Sequence, residues 1–409
     1  MMRAGVAAAV AALVVVLAGC GGSAATSTTT TTVNNTLPLI VDLGPSLNGQ
    51  AVGFDNSLYV SVSICNPGTG TCQTIDHILV DTGTSGLRIL SSAMGLSVPY
   101  VVDAKNNGIG NCIQYPDTSF QWGPIALVDV HLQEEVASSV PIQIIGPSNF
   151  SGPPTACSAG GVAANTLSSL GANGILGVGL FRQDCGAACA SSSPPNVYFS
   201  CPSTGCTPTT VALTAQLQNP VWMFPQDNNG LSITLPSIGT SGAAQIAGTL
   251  TFGIGTQTNN ALNGALAQAA TSKGTFTTTF GGTAYTNSFI DSGLGAYFFL
   301  DSTTTSLPNC AANGDAAGYY CPTSTVGLSA ITSGPNPTST STIVSHNISF
   351  QVSNALTLID SGNPALSTIG GPNPGVFAWG LPFFYGRTVF IGIEGQSTTS
   401  AGTGPFWAY

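Results

Sequence analysis

The sequence predicts an all-β protein that works outside the cytoplasm and is built from two matched halves. Three observations predict it. Only 5% of the 409 residues are charged, against about 25% in an ordinary soluble domain. The 51 Gly and 26 Pro, with abundant Ser, Thr and Asn, favour turns over long helices. Finally, an apolar-apolar-Asp-hydroxyl-Gly segment at Leu79-Val80-Asp81-Thr82-Gly83 returns as Phe289-Ile290-Asp291-Ser292-Gly293, 210 positions later. The formal net charge of −10, with six Lys and Arg in all, argues against a cationic face for nucleic acid.

Taken from the N-terminus, Arg3 precedes an apolar run from Ala4 to Ala18. That is the pattern of a secretory leader over residues 1–19, and it is short for a spanning helix. Leu17-Ala18-Gly19-Cys20 resembles a bacterial lipobox, which would make Cys20 the lipidated first residue of the mature protein. The alternative is an ordinary leader that ends near a cysteine. Residues 20–36 are rich in Gly, Ser, Ala and Thr and are expected to form a flexible tether. Gly21 after the lipidated Cys would direct the protein to the outer membrane of a Gram-negative host, by resemblance to the usual sorting signal. The expected location is therefore the cell envelope, with membrane contact through the N-terminal lipid only.

From Leu37 onward the chain reads as short strands separated by turns. Strands are expected at 58–64, 77–83, 125–132, 140–145, 231–236, 248–253, 274–280, 288–293, 343–352 and 386–393, where apolar residues alternate with Ser, Thr or Gln. Weaker helical patterns cover 166–172 and 259–272. Segments 182–210 and 301–342 read as loops, and Glu134-Glu135 as a solvated turn. A lobe boundary near Pro225 to Gly230 gives an N-terminal β lobe over 37–228 and a C-terminal one over 229–409.

Cys20 aside, ten cysteines remain, an even number that suits disulfides in an oxidising compartment. Proximity pairs Cys65 with Cys72, Cys185 with Cys189, Cys201 with Cys206 and Cys310 with Cys321, which leaves Cys112 and Cys157. No pair has CxxC spacing and the three His lie far from them in sequence, so no metal site is expected.

The repeated Asp segments carry the chemistry. If the two halves pack about a pseudo-twofold axis, Asp81 and Asp291 meet. Two carboxyls at such range share one proton, because both cannot ionise together. The ionised member takes a proton from water and the protonated one polarises a carbonyl. Gly83 and Gly293 allow close approach of the backbone, while Thr82 and Ser292 supply hydroxyls that can brace the opposite turn. This chemistry needs no cofactor. A Ser-His-Asp alternative has no Gly-x-Ser-x-Gly elbow in the chain.

Several further segments fall in a telling order. Asn173-Gly174-Ile175-Leu176-Gly177-Val178-Gly179 follows the first Asp. Ala247-Gly248-Thr249-Leu250-Thr251-Phe252-Gly253 precedes the second. Phe377-Ala378-Trp379-Gly380, then Leu381-Pro382-Phe383-Phe384-Tyr385, stands after it. With Asp81-Thr82-Gly83-Thr84-Ser85 and Asp291-Ser292-Gly293 they resemble the pepsin-like aspartic proteases over most of the chain from Gly49. The resemblance implies a bilobal all-β fold with a cleft between two lobes, Asp81 and Asp291 as the catalytic pair, and an extended polypeptide as substrate. The chain is expected to act as a monomer.

Departures are visible too. A third match, Leu358-Ile359-Asp360-Ser361-Gly362, leaves only 20 residues before Gly380, so Asp291 is the expected partner and Asp360 a turn acid. The family places Ser or Thr three positions after each catalytic Asp. Thr84 fits, but Leu294 does not. The family flap carries a Tyr followed by Gly, and here Phe120-Gln121-Trp122-Gly123-Pro124 falls in that interval, with Trp122 and Gly123 as flap candidates or as a packed strand end. Arg88 is expected to be structural, beside a nearby acid. The competing function is an inactive module of the same fold that binds peptide or glycan in its cleft.

Overall fold

The computed structural model describes residues 33–191 and 195–409. The leader, Cys20 and the tether up to Thr32 lie outside the described residues. Val33–Tyr409 form one compact unit. Among the described residues no helix is long and apolar enough to cross a membrane.

The alternation read from sequence becomes two-faced strands. In Leu58–Cys65, Val60, Val62 and Ile64 are buried while Ser61 faces solvent, as a period of two requires. A 16-stranded sheet runs through both halves. Its joint is the strand Thr36–Val41, which pairs antiparallel with Ile246–Phe252 along its whole length and with Leu58–Cys65 at Ile40 and Val41. Gly230–Leu235 continues the sheet between Ile246–Phe252 and Arg387–Gly392. A second, 7-stranded sheet belongs to the C-terminal half. It is filled by stacked and edge-to-face rings of Phe299, Phe350, Phe377 and Trp379, all buried.

Each half contains the same local device. In the first, Gly174–Val178 lies between Cys72–Asp81, to which it is parallel, and Ser85–Leu90, to which it is antiparallel. In the second, Asn373–Trp379 lies in the same way between Thr283–Ile290 and Tyr297–Leu300. The closing contacts match. Gly179 N–H donates to Thr84 O at 2.9 Å, and Leu381 N–H to Leu294 O at 2.7 Å. Glycine is needed at both closures. A Cβ at Gly179 would stand 2.5 Å from Thr82 O, and one at Gly380 2.1 Å from Ala296 O. The Gly-rich segments singled out in the sequence are therefore the backing of the two Asp turns.

All five disulfides pair as expected: 65–72, 112–157, 185–189, 201–206 and 310–321. They fit an oxidising, extracytoplasmic compartment. Some elements differ from expectation. The helical pattern at 259–272 is not a helix. Asn263 and Gly264 both take positive φ, and Ala267–Ala269 then pairs with Phe406–Ala408. The expected loop at 301–342 contains the strand Val326–Asn336, paired with Ser339–Val352. Its inward face carries Val326 and Leu328 at one end, only partly buried, and then the small residues Ala330, Thr332 and Gly334, while Ile331 faces outward. At 166–172 only Leu167–Leu170 is helical, capped by Thr166. The 182–210 segment holds the short helix Ala187–Ala190 and the strand Tyr198–Cys201.

Candidate active site

Asp81 ends the strand Cys72–Asp81, and Asp291 follows Thr283–Ile290. Their turns meet face to face. Thr82 N–H donates to Ser292 Oγ at 3.2 Å, and Ser292 N–H donates to Thr82 Oγ1 at 2.9 Å. Ser292 Oγ in turn donates to Val80 O at 2.7 Å. This reciprocal lock is buried, and it holds the two carboxyls in register. A Cβ at Gly83 would stand 2.3 Å from Asp291 Oδ2, and one at Gly293 2.9 Å from Asp81 Cγ. Each glycine thus leaves room for the carboxyl of the other half.

The two carboxyls are not equivalent. Asp81 Oδ1 accepts from Gly83 N–H at 2.7 Å and Thr84 N–H at 3.1 Å, and Oδ2 from the Thr84 hydroxyl at 2.9 Å. Asp291 Oδ1 accepts from Gly293 N–H at 2.8 Å. Leu294 supplies no hydroxyl where Thr84 does in the first half. Burial, and then the Asp81 carboxylate beside it, hold the Asp291 carboxyl well above the usual carboxylate range. Asp291 is therefore the member that keeps a proton, beside a carboxyl that accepts three hydrogen bonds.

A cavity of about 770 Å³ opens over this pair, with Phe54, Leu79, Ile113, Ile175, Leu294 and Phe298 among its apolar walls. A hairpin of Gly108–Gln114 and Ser119–Leu132 covers it. Its turn, Tyr115 to Thr118, closes by Thr118 N–H donating to Tyr115 O at 3.0 Å. Tyr115 and Gln121 both line the cavity, and Tyr115 Oη donates to Gln121 Oε1 at 3.2 Å. Desolvation raises the Tyr115 phenol, with Asp81 and Asp291 adding to the rise and Arg88 opposing it.

Trp122 does not line this cavity. Successive residues of a strand face opposite ways. Gln121 takes the cleft face, so Trp122 packs behind the hairpin against Phe150 and Phe199, with its indole N–H donated to Ser151 O at 2.7 Å. Gly123 serves packing as well: a Cβ there would lie 1.8 Å from Ile144 O. Tyr115 is the residue that the sequence reading missed. The signal was present in Tyr115-Pro116-Asp117, where Pro-Asp marks a tight turn between two strand runs.

Other singled-out residues are placed elsewhere. Asp360 caps the helix Ala355–Ile359 and is exposed. His77 Nε2 lies 3.3 Å from Asp42 Oδ2. Arg88 is fully buried: Nη1 donates to Ser85 O at 3.0 Å and Nη2 to Asp184 Oδ2 at 3.5 Å. Cys65, Cys72 and His131 form a cluster of metal-ligand type among the described residues, but both sulfurs are committed to one disulfide. Glu135 is not solvated. It is 2% exposed, and its side chain lies against Asp227.

The aspartic proteinase from Irpex lacteus has a similar solved structure. The match has a TM-score of 0.50 and 14% identity, and it covers 91% of this chain and 96% of that one. At that identity the likeness shows the fold, an all-β bilobal one of pepsin type. No curated protein matches this chain by sequence. Over residues 31–409 the chain matches a family model described as "Protein of unknown function (DUF3443)", and it belongs to that family.

Proposed function

We propose that this member of the family is an aspartic endopeptidase. It hydrolyses an extended polypeptide with a water activated between Asp81 and Asp291. The observation that carries this reading is the reciprocal Thr82–Ser292 lock, which sets two unequal carboxyls together at the floor of a covered cleft. Asp81 takes the proton from water as its oxygen attacks the scissile carbonyl carbon. Asp291 donates its proton to the carbonyl oxygen, giving a neutral gem-diol. As the C–N bond breaks, Asp81 gives its proton to the leaving amine and Asp291 takes one from a gem-diol hydroxyl, so the pair ends with the single proton it began with. Tyr115, on the covering hairpin, excludes water above the bond. The protein acts as a monomer, tethered to the envelope by lipid at Cys20.

The test is cleavage of an unfolded protein by the purified enzyme, disulfides formed, between pH 3 and 7. Activity requires the singly protonated pair. The alkaline limb is set by loss of the Asp291 proton, and because that carboxyl is held above the usual range, activity extends upward from the ordinary carboxylate region before it falls. Absence of cleavage at every pH, from protein shown to be folded, would leave a cleft that only binds peptide or glycan.

Leu294 gives a sharper check. Leu294→Thr places a hydroxyl where Thr84 stands in the first half. An added donor to the ionised form lowers the pKa of a carboxyl. The alkaline limb is therefore expected to move to lower pH in Leu294→Thr, with the acid limb little changed. A profile that does not move would mean that the side chain at 294 does not reach Asp291.

A further inference from the structure

A second pair of buried carboxyls lies outside the lining of the cleft, and the proposed chemistry makes no use of it. Glu135 opens the strand Glu135–Ile145 in the first half. Asp227 lies in the segment that leads to Gly230–Leu235, at φ +51°. They are 2% and 3% exposed. Among the described residues neither has a Lys, Arg or His partner. The Glu135 carboxyl lies within hydrogen-bond reach of Asp227.

The oxygen set around Asp227 is ordered. The Thr256 hydroxyl donates to Asp227 Oδ1. The Gln257 side-chain amide donates to Asp227 Oδ2 and, at 3.2 Å, to Val33 O. Asn260 aligns Thr256 from behind, its Nδ2 donating to Thr256 Oγ1 at 2.8 Å and its Oδ1 accepting from Thr256 N–H at 3.0 Å. Glu135 Oε1 is buried with no hydrogen-bond partner. A single shared proton bridges one pair of carboxyl oxygens and leaves that oxygen unsatisfied, which is costly in a buried setting.

We propose that Glu135 and Asp227 bind a hard divalent cation of the calcium class, with the Thr256 hydroxyl and the Gln257 amide oxygen completing the protein ligands. Every available donor is an oxygen, once the Gln257 amide rotates to present its carbonyl. Two carboxylates balance a charge of +2. Calcium accepts such irregular oxygen sets, whereas magnesium demands a strict octahedron and gives up its water reluctantly. The ligands come from the first half, from the segment between the halves and from the second half. The cation would therefore tie the two lobes together at a site separate from the dyad.

The experiment uses the purified protein stripped with a chelator, at pH 7.5, titrated with calcium or magnesium chloride. Binding is followed by calorimetry and stability by thermal unfolding. Millimolar calcium is expected to raise Tm by about 2 °C or more, and magnesium to raise it less. Glu135→Gln, Asp227→Asn and the uncharged change Thr256→Val each weaken calcium binding by about tenfold or more. Thr256→Val keeps the test open if a carboxyl variant fails to fold. No calcium binding by the parent protein, with Glu135→Gln alone raising Tm at pH 7.5, would overturn the proposal in favour of a shared proton. Calcium binding undiminished in all three variants would overturn it as well.

Discussion

Asp81→Asn and Asp291→Asn are each expected to lower the proposed peptide cleavage by about 10⁴-fold, the scale seen when one member of a catalytic unit is removed, and Asp360→Asn to leave it unchanged. The three Asp occupy similar short motifs, so the sequence alone cannot rank them by residue type. The fold does. Asp81 and Asp291 are set opposite each other by the Thr82–Ser292 lock, whereas Asp360 is an exposed helix cap. Loss of activity in the two variants must not come from unfolding, and the electrostatics supply the control. The Asp291 carboxyl is held above its unfolded value, so the folded state binds that proton more tightly. Its contribution to stability is present below the unfolded value and is lost as pH rises through the folded one. Asp291→Asn removes that loss, so Tm at pH 7 is expected to rise as activity disappears. A variant that loses activity together with several degrees of Tm would point to a structural role only. Measuring cleavage rate and Tm on the same samples separates the two.

Arg88→Leu is expected to cost about 3–5 kcal/mol of stability at pH 7, the range for breaking a buried ion pair on one side. Arg88 follows the first Asp turn and is fully buried. Its partner Asp184 also accepts from Tyr198 Oη at 2.5 Å and from Asn111 Nδ2 at 3.0 Å. Burial raises the Asp184 carboxyl, and Arg88 is the largest opposing influence. Without Arg88 the carboxyl is better protonated than charged. The folded value rises further above the unfolded one, so the penalty is small at acid pH and grows as pH increases. Urea unfolding of parent and variant at pH 4 and pH 7 checks this. Equal losses at both pH values would mean that Arg88 acts through packing of its stem and not through Asp184.

Much of this was legible because the chain's chemistry is local at its key points. Asp-Thr-Gly and Asp-Ser-Gly turns, the Gly-rich backing segments and the closely spaced Cys pairs all declare themselves within a few residues. What was not legible depended on which face a strand presents. Trp122 looked like a cover for the cleft because it is large and falls in the right interval, but it is out of phase by one residue with Gln121. Tyr115 was overlooked because it sits in a turn and not in a strand. Glu135 looked solvated because it adjoins Glu134 near a hairpin turn. Only the approach of Asp227, 92 positions later in the sequence, gives it a partner. The loop reading of 301–342 failed for a related reason, since alternation in small residues leaves a weak pattern.

The central claim is that Asp81 and Asp291 hold one proton between them. The most direct measurement is a pH titration of the carboxyl carbons by NMR on protein labelled in Asp and Glu, with Asp81→Asn and Asp291→Asn to assign the pair. The chain has only 16 Asp and Glu, so the spectrum is small. Burial also raises Glu135, Asp184 and Asp55, so Glu135→Gln, Asp184→Asn and Asp55→Asn assign those signals. The account predicts that one dyad carboxyl stays protonated well above the ordinary range near 4, and that Asp81→Asn alters that titration. Two carboxyls that both ionise near 4, each indifferent to loss of the other, would contradict it.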